Sequence, residues 1–582
     1  MKFARWLFDR AIEIAARFAH SQADLRRRIS NLCWRISSRR RSALQWVAAI
    51  LIALPVTFLA AFYFFPLLAI LQTSLADPRG IGELFASDYY ARVLAFTFFQ
   101  AALSTLLTVI VALPAAYIFA RYEIRGARIF RALMTLPFLM PTIVVATAFS
   151  ALFGPRGLIN LALMRAFQLD SPPIQILDTL WIILLAHTFY NFSIVLRVVG
   201  GFWANLDPQI ENAARVLGAN RARAFRHITL PLLSPAILSA ALLVFIFDFT
   251  SFGVVLILGG ARLATLEVEI YRQTVNLFNL PVAAILSLAQ LVCTFALMTL
   301  YTRLQARLAR PLRLRPQSIT RRKLQTAREK FFVWIYLAAT LIFLLTPLAS
   351  IVFASFENGL DYYAELFINR RASITFVPPM DAVRNSLLFA GATIALAVSL
   401  GLITAHALAQ KNRAAQILDP LVMLPLGTSA VTLGFGYILA LGSLRASVWL
   451  VPIAHALVAF PFVVRALLPT LKSIQPRLRQ AAQVLGASPA RVWREIDLPI
   501  LARAISIGAI FTFMISIGEF GATTLIARPD LPTIPIAIYR LLGQPGLVNF
   551  GQALALSTIL MLVSAIAMLA LERARGDAGG EF

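Results

Sequence analysis

Cysteine and charged residues are scarce in this sequence of 582 residues, and both scarcities exclude classes of protein. Two cysteines, Cys33 and Cys293, are too few for a disulfide framework, and they form no metal-ligand cluster with the five histidines. Only 14% of the residues are charged and 59% are hydrophobic. Soluble domains contain about 25% charged and about 45–50% apolar residues, so the composition predicts a membrane protein rather than a soluble one.

Acidic residues are also few, since 27 of them stand against 53 Lys and Arg and leave a net charge of +26. A basic surplus often indicates nucleic-acid binding. Here, however, the basic residues lie in short clusters between long apolar runs, which is typical of a chain oriented in a lipid bilayer. We therefore expect the bilayer, and not a nucleic acid, as a partner.

The apolar runs predict the fold class, because a helix needs about 20 apolar residues to cross the hydrocarbon core. Strands of a β-barrel would be about 10 residues long. The sequence therefore predicts an all-α, polytopic transmembrane helical bundle. Twelve runs are long enough, at 44–71, 93–120, 132–153, 176–200, 234–258, 281–303, 331–355, 384–409, 416–442, 447–470, 502–526 and 549–571.

Every second connection between these runs is basic, as at 121–131, 201–233 and 303–330, whereas 72–92 and 356–383 mix both signs. Loops on the cytoplasmic side of a membrane carry an excess of Lys and Arg. We therefore expect a multi-pass protein of a prokaryotic plasma (inner) membrane with both termini in the cytoplasm.

The sequence repeats itself without a gap from about 186 to 272 when it is shifted by 268 positions, so that His187 meets His455 and Phe252 meets Phe520. Two copies of six spans enter the membrane from the same side and are parallel repeats. Such repeats are related by an axis along the membrane normal and leave a pathway at their interface, which is typical of transporters. The predicted division is a basic N-terminal segment 1–43, a first repeat 44–303, a basic linker 304–330, a second repeat 331–571 and a tail 572–582.

The repeat is best preserved in two polar loops, 205–233 and 473–501. Each loop has two short helical stretches separated by a glycine, Gly218 or Gly486, where the chain can turn without steric penalty. The second stretch carries an aromatic residue beside arginines, and we expect this ring to be exposed as a protein-binding hot spot. The alternative is a pair of helices that lie on lipid headgroups.

This loop resembles the EAA loop of the membrane subunits of ATP-binding-cassette importers, in which it forms the coupling helix that fits a cleft of the ATPase. Arg479 stands where that family has Glu, so the resemblance predicts that the two halves couple unequally. The residues taken to contact the ATPase are Glu211, Ala213, Ala214, Gly218, Phe225, Ile228, Leu230 and Pro231 in the first copy, and Ala481, Ala482, Gly486, Trp493, Ile496, Leu498 and Pro499 in the second.

The resemblance implies a type I importer permease with an extracytoplasmic binding protein and ATPase subunits, expected to be a homodimer. No Gly-Lys dipeptide occurs, so the chain has no P-loop, and we expect a transport subunit rather than an enzyme, with no cofactor and no metal. Segments 251–260 and 518–522 look closer to thiamine permeases than to ferric-iron permeases. We expect thiamine or its phosphates as the substrate, with ferric iron as the alternative. A secondary carrier that works without ATP is the alternative of another class.

Two acids lie within apolar runs, Asp248 and Glu519, and their repeat mates are Ser516 and Ser251. An acid at the centre of a bilayer costs about 2.5–3.5 kcal/mol on insertion scales, so it normally faces a cavity or a partner. These four residues are the candidate lining of a passage for a cationic substrate. The alternative is that each acid pairs with an arginine or an amide inside the bundle. No metal ligands are expected, and His187 and His455 are expected to be hydrogen-bonded packing residues.

Overall fold

The computed structural model describes residues 53–76, 82, 87–260, 262–308, 321–369, 377–410, 413–444 and 446–575. The predicted N-terminal segment 1–43, part of the linker and the end of the tail lie outside the described residues. Within the described residues the regular structure is helical, apart from one isolated bridge between Tyr122 and Arg322, which confirms the all-α bundle.

The helices fall into two series. The first series is α1 (Ala53–Ala76), α2 (Asp88–Arg121), α3 (Ala127–Thr135), α4 (Thr142–Phe153), α5 (Leu158–Phe167), α6 (Leu180–Ala204), α7 (Pro208–Val216), α8 (Arg221–Phe249), α9 (Gly253–Leu258), α10 (Leu266–Tyr271) and α11 (Leu280–Leu308). The second series is α12 (Ala327–Ser355), α13 (Asp361–Ala364), α14 (Pro379–Ala409), α15 (Arg413–Met423), α16 (Ala430–Ala440), α17 (Leu450–Ser473), α18 (Pro476–Val484), α19 (Pro489–Gly518), α20 (Gly521–Ile526), α21 (Ile534–Leu542) and α22 (Leu547–Arg575).

The predicted ninth span, 416–442, is not one straight helix, and this corrects the expectation of twelve continuous spans. Among the described residues, eleven helices are long and apolar enough to cross a membrane, and α15 and α16 make a further pair that is bent by 100°. The bend follows Pro425, which cannot donate a backbone hydrogen bond, and the backbone is extended at Thr428 and Ser429. The third run, 132–153, is divided between α3 and α4 in the same way.

Each half is built on the same packed triple of helices. In the first half α2, α6 and α8 pack together, and in the second half α14, α17 and α19 do so. Small residues allow close approach, as is common between transmembrane helices. A Cβ atom on Gly401 of α14 would lie 2.5 Å from Val463 of α17, and one on Gly200 of α6 would lie 3.5 Å from Ala116 of α2.

The first helix of each half crosses onto the other half. Helix α1 packs against α16, where a Cβ atom on Gly436 would lie 3.0 Å from Pro66, and α12 packs against α4. The Tyr63 hydroxyl lies 2.7 Å from Thr428 Oγ1 at the break before α16, and Ser350 donates to the carbonyl of Ala148 at 3.3 Å. This exchange interlocks the halves, and their further helix contacts are those of α4 with α21 and α22 and of α10 with α16.

Candidate functional site

The two motif loops end their first helix with the same tight turn. After α7, Gly218 has a φ of +94° and the N–H of Ala219 donates to the carbonyl of Ala214 at 3.1 Å. After α18, Gly486 has a φ of +82° and an equivalent hydrogen bond closes the turn. This is a Schellman motif, which favours glycine because other residues are strained at a positive φ. The turn fixes how the loop presents the residues just before the glycine.

Those residues are an apolar Val-Leu pair whose side chains the turn exposes to solvent. Val216 and Leu217 are 86% and 88% exposed, and Val484 and Leu485 are 86% and 87% exposed. We call these two pairs the Val-Leu tips. Exposed apolar patches mark sites of contact with a partner protein or a membrane. These residues are not among those predicted from the sequence, although the same Val-Leu dipeptide precedes the glycine in both copies.

The expectation that the motif aromatics are exposed is wrong. Phe225 is half-buried and stacks on Trp203, with ring centroids 6.1 Å apart. Trp493 is also half-buried and packs edge-on against His406, with centroids 5.0 Å apart. Both rings pack against helices of their own half, and these contacts attach each loop to the bundle. Any contact that they make with an ATPase stays a prediction.

The Leu-Pro end of the motif explains why these rings turn inward. A proline within a helix removes one backbone hydrogen bond and its ring clashes with the carbonyl four residues earlier. In both halves one wide π-helical turn comes directly before the Leu-Pro pair, at Phe225–Thr229 and at Trp493–Asp497. The other motif residues match in burial, with Ala214, Ile228, Ala482 and Ile496 half-buried and Ala213, Leu230, Pro231, Ala481, Leu498 and Pro499 exposed.

The departure at Arg479 is compensated across the loop. In the first half Thr229 donates to the Glu211 carboxylate at 3.2 Å, which ties α7 to the wide turn of α8. In the second half Arg479 donates to Asp497 at 2.8 Å and makes the same tie between α18 and α19. The acid has therefore changed sides while the contact remains. Thr229 and Asp497 were missed from the sequence, although they stand at matching repeat positions.

Asp248 of the first half is fully buried between helices of that half. Asn191 of α6 donates to its carboxylate at 2.7 Å, and His187 Nδ1 lies 3.4 Å from the same oxygen, Oδ1. His187 Nε2 lies 2.8 Å from Ser251 Oγ. The amide contact is the one that the alternative interpretation of the acid required. Whether Asp248 also lines a passage stays a prediction.

Glu519 of the second half is 8% exposed and has a similar environment. Its carboxylate accepts hydrogen bonds from the N–H of Ala522 at 2.8 Å and from the N–H and hydroxyl of Thr523, so it caps α20. His455 Nε2 lies 3.3 Å from the carboxylate, and His455 Nδ1 lies 2.8 Å from Ser516 Oγ. Both histidines are hydrogen-bonded in the bundle.

The two histidine sites are the same site with acid and serine exchanged. Each histidine contacts two side chains that are three residues apart in the sequence, at the end of the helix that follows the motif loop. In the first half these positions hold Asp248 and Ser251, and in the second half they hold Ser516 and Glu519. Each half thus carries one buried acid beside one histidine, and the acids lie at different levels along the bundle.

No group of three or more His, Cys, Asp or Glu side chains that could hold a metal ion occurs in the described part of the chain. The candidate site consists of the two motif loops with their Val-Leu tips and of the two buried acid–histidine pairs. Asp248 lies near the end of α8, and Glu519 directly follows α19.

Comparison with known proteins agrees with this arrangement. The family described as binding-protein-dependent transport system inner membrane component matches residues 112–310 and 397–574, one copy in each half. The thiamine transport system permease protein ThiP of Brucella abortus is 29% identical over 497 residues, which cover 84% of this chain and 88% of that protein. ThiP of Escherichia coli is 27% identical over 477 residues, 78% of this chain and 84% of that protein. A probable ABC transporter permease of Sinorhizobium fredii is 26% identical over 570 residues, which cover 92% of this chain and 97% of that protein.

Proposed function

This chain belongs to the family of binding-protein-dependent transport system inner membrane components, and we propose that the substrate for which it forms the pathway is thiamine. It is the membrane-spanning permease subunit of an ATP-driven importer and not itself an enzyme. A separate ATPase therefore hydrolyses the ATP, and a substrate-binding protein delivers the substrate.

One observation carries the choice of thiamine. Relatives named as thiamine transport permeases match 84% and 78% of this chain, so each match extends into both halves. The buried acids are consistent with this choice, because thiamine carries a fixed positive charge on its thiazolium ring. Asp248 and Glu519 would attract such a cation as it passes between the halves.

The Val-Leu tips are our candidates for the contact with the ATPase, and we propose that two copies of one ATPase subunit bind them. Identical clefts on two copies of the ATPase would require two similar segments of the permease to bind them. The tips share their turn, their residues and their exposure. The half-buried rings and the Glu211–Thr229 and Arg479–Asp497 contacts would hold each loop in place while the ATPase pulls on it.

We propose that both termini lie in the cytoplasm. The ATPase needs cytoplasmic ATP, so the tips face that side. Helix α8 leads away from the first tip and α11 returns, which brings the linker back to the same side. The basic residues of the linker agree with this orientation.

Uptake by cells tests the substrate. Deletion of the gene for this chain should abolish high-affinity uptake of radiolabelled thiamine, and a plasmid copy should restore it. Excess unlabelled thiamine should compete, whereas ferric citrate should not. Loss of ferric-iron uptake with normal thiamine uptake in the deletion strain would contradict the proposal.

A further inference from the structure

Two pairs of repeat mates touch each other across the interface of the halves. Phe252 stacks on Phe520 with ring centroids 5.5 Å apart and an angle of 27° between the planes. The side chains of Tyr271 and Tyr539, which are also repeat mates, lie close to each other. A residue that contacts its own mate lies on the pseudo-twofold axis that relates the two repeats. Parallel repeats place the transport pathway along this axis.

Three ring contacts connect the four side chains. Phe252 packs against Tyr271 with centroids 5.5 Å apart, and Phe520 packs against Tyr539 at the same distance. We call these four residues the axial aromatic cluster. Phe252 is 6% exposed, Phe520 is 3% exposed and Tyr271 is buried, whereas Tyr539 is half-buried, so among the described residues three of the four rings are closed to solvent.

The cluster lies at the end of the bundle that is remote from the Val-Leu tips. Helices α8 and α19 start at the loops and run for 29 and 30 residues before they reach it. At 1.5 Å per residue this corresponds to roughly 40 Å, which exceeds the thickness of the hydrocarbon core, about 30 Å. Substrate that arrives from the binding protein therefore meets these rings before it reaches the rest of the path.

The surroundings of the cluster favour a cation. A Cβ atom on Gly253 would lie 2.7 Å from Thr142 and 3.1 Å from the Phe520 ring, so the glycine lets the two halves approach at the rings. Glu519 directly precedes Phe520 in the chain, and its carboxylate lies 3.5 Å from the Cβ position of Gly521, the residue that follows this ring.

The basic side chains that follow the two tyrosines are engaged elsewhere. Arg272 donates to the carbonyl of Gly260 at 3.0 Å, and it lies 4.0 Å from the carboxylate of Glu269. Arg540 donates to the carbonyl of Pro529 at 2.9 Å. Glu269, in turn, accepts a hydrogen bond from Tyr89.

We infer that the axial aromatic cluster is the seal of the pathway on the binding-protein side and that its rings bind the substrate as a planar organic cation when they separate. This inference rests on the proposed function, since it takes thiamine as the substrate. Aromatic faces attract cations within about 6 Å, and they stack on flat rings such as thiazolium and pyrimidine. A metal cation would instead require oxygen, nitrogen or sulfur ligands.

Ring-keeping and ring-removing substitutions at one position test the inference. The complete transporter, with ATPase and binding protein, is reconstituted in liposomes, and kcat/KM is measured for uptake of thiamine and of its neutral analogue 3-deazathiamine. Tyr271→Leu and Phe520→Leu should each lower the value for thiamine roughly tenfold relative to that for the analogue. Tyr271→Phe keeps the ring and should lose much less.

Phe462→Leu is the matched control, because this partly exposed ring stacks on Phe511 within one half and does not touch the cluster. Thermal stability and ATPase co-purification of each variant verify folding. Equal losses for thiamine and the analogue, or no loss, would overturn the cation-binding role. Absence of thiamine uptake by the unmodified transporter would instead contradict the proposed function.

Discussion

At the scale of single residues, the most informative difference between the halves is the exchange of charge in the motif loops. Glu211 with Thr229 and Arg479 with Asp497 make the same contact with different chemistry. The Arg479 side chain is 35% exposed and that of Asp497 is 10% exposed, so the pair lies at the boundary of the bundle. Although position 479 lacks Glu, the Arg479–Asp497 contact therefore still ties the loop to the helix that follows it.

We predict that Arg479→Glu alone lowers thermal stability and transport, because it places two carboxylates in contact. A hydrogen bond to a charged group contributes about 1.5–3 kcal/mol. The double variant Arg479→Glu with Asp497→Thr copies the first half and should recover most of the loss. Thermal unfolding and the ratio of ATP hydrolysed to substrate imported are the measurements. A double variant no better than the single one would show that this contact does not position the loop.

We also predict that Leu217→Asp and Leu485→Asp each weaken ATPase binding at least tenfold, since burial of one such side chain contributes about 1.5–3 kcal/mol. Asn220→Asp is the matched control, because it adds the same charge to the loop while an aspartate still caps the helix there. Affinity of the purified permease for the ATPase is the readout. Unchanged affinity in both leucine variants would exclude the tips as the docking surface.

At the scale of helices, the acid–histidine pairs connect the helix before each loop to the one after it. His187 lies on α6, and Asp248 lies on α8. We predict that Asp248→Asn together with Glu519→Gln lowers thiamine uptake about tenfold, equivalent to about 1.4 kcal/mol, with little change in thermal stability. Normal uptake by this double variant would remove the acids from the passage.

The exchange between the halves supplies a control for that prediction. Asp248→Ser with Ser251→Glu gives the first half the pattern of the second, so His187 again lies between a serine and an acid. This variant should be as stable as the unmodified protein, whereas Asp248→Ser alone should not be. Equal instability of both variants would show that the two positions are not interchangeable.

At the scale of the whole molecule, the sequence predicts the bundle, the repeat and the two loops, because apolar length and repeat register are properties of the sequence itself. Pro425 predicts a kink in the run 416–442, but the sequence does not predict a bend of 100° between α15 and α16, because hydropathy does not report a backbone break. The exchange of α1 and α12 between the halves is likewise a matter of tertiary packing.

The same limit applies to the site. Residue types identified Phe225 and Trp493, but these rings pack inward against Trp203 and His406, and the glycine turn leaves the Val-Leu tips exposed. The pairing of Arg479 with Asp497 requires the three-dimensional contact between α18 and α19 before the two substitutions can be seen as one event.

Orientation of the whole chain gives a further prediction. With Cys33 and Cys293 replaced, a cysteine at 360 should react with a membrane-impermeant maleimide added outside spheroplasts. A cysteine at 220, in the first motif loop, should react only after the membrane is opened. The reverse pattern would contradict the cytoplasmic placement of the loops and the termini.

We propose above all that this permease imports thiamine at the expense of ATP hydrolysed by a separate subunit. The most direct test is accumulation of radiolabelled thiamine in liposomes that contain the permease, with the ATPase and ATP on one side and the binding protein on the other. We predict accumulation that stops when the ATPase, the ATP or the binding protein is omitted. Accumulation by the permease alone, or none with the complete system while the same system accumulates ferric iron, would contradict the account.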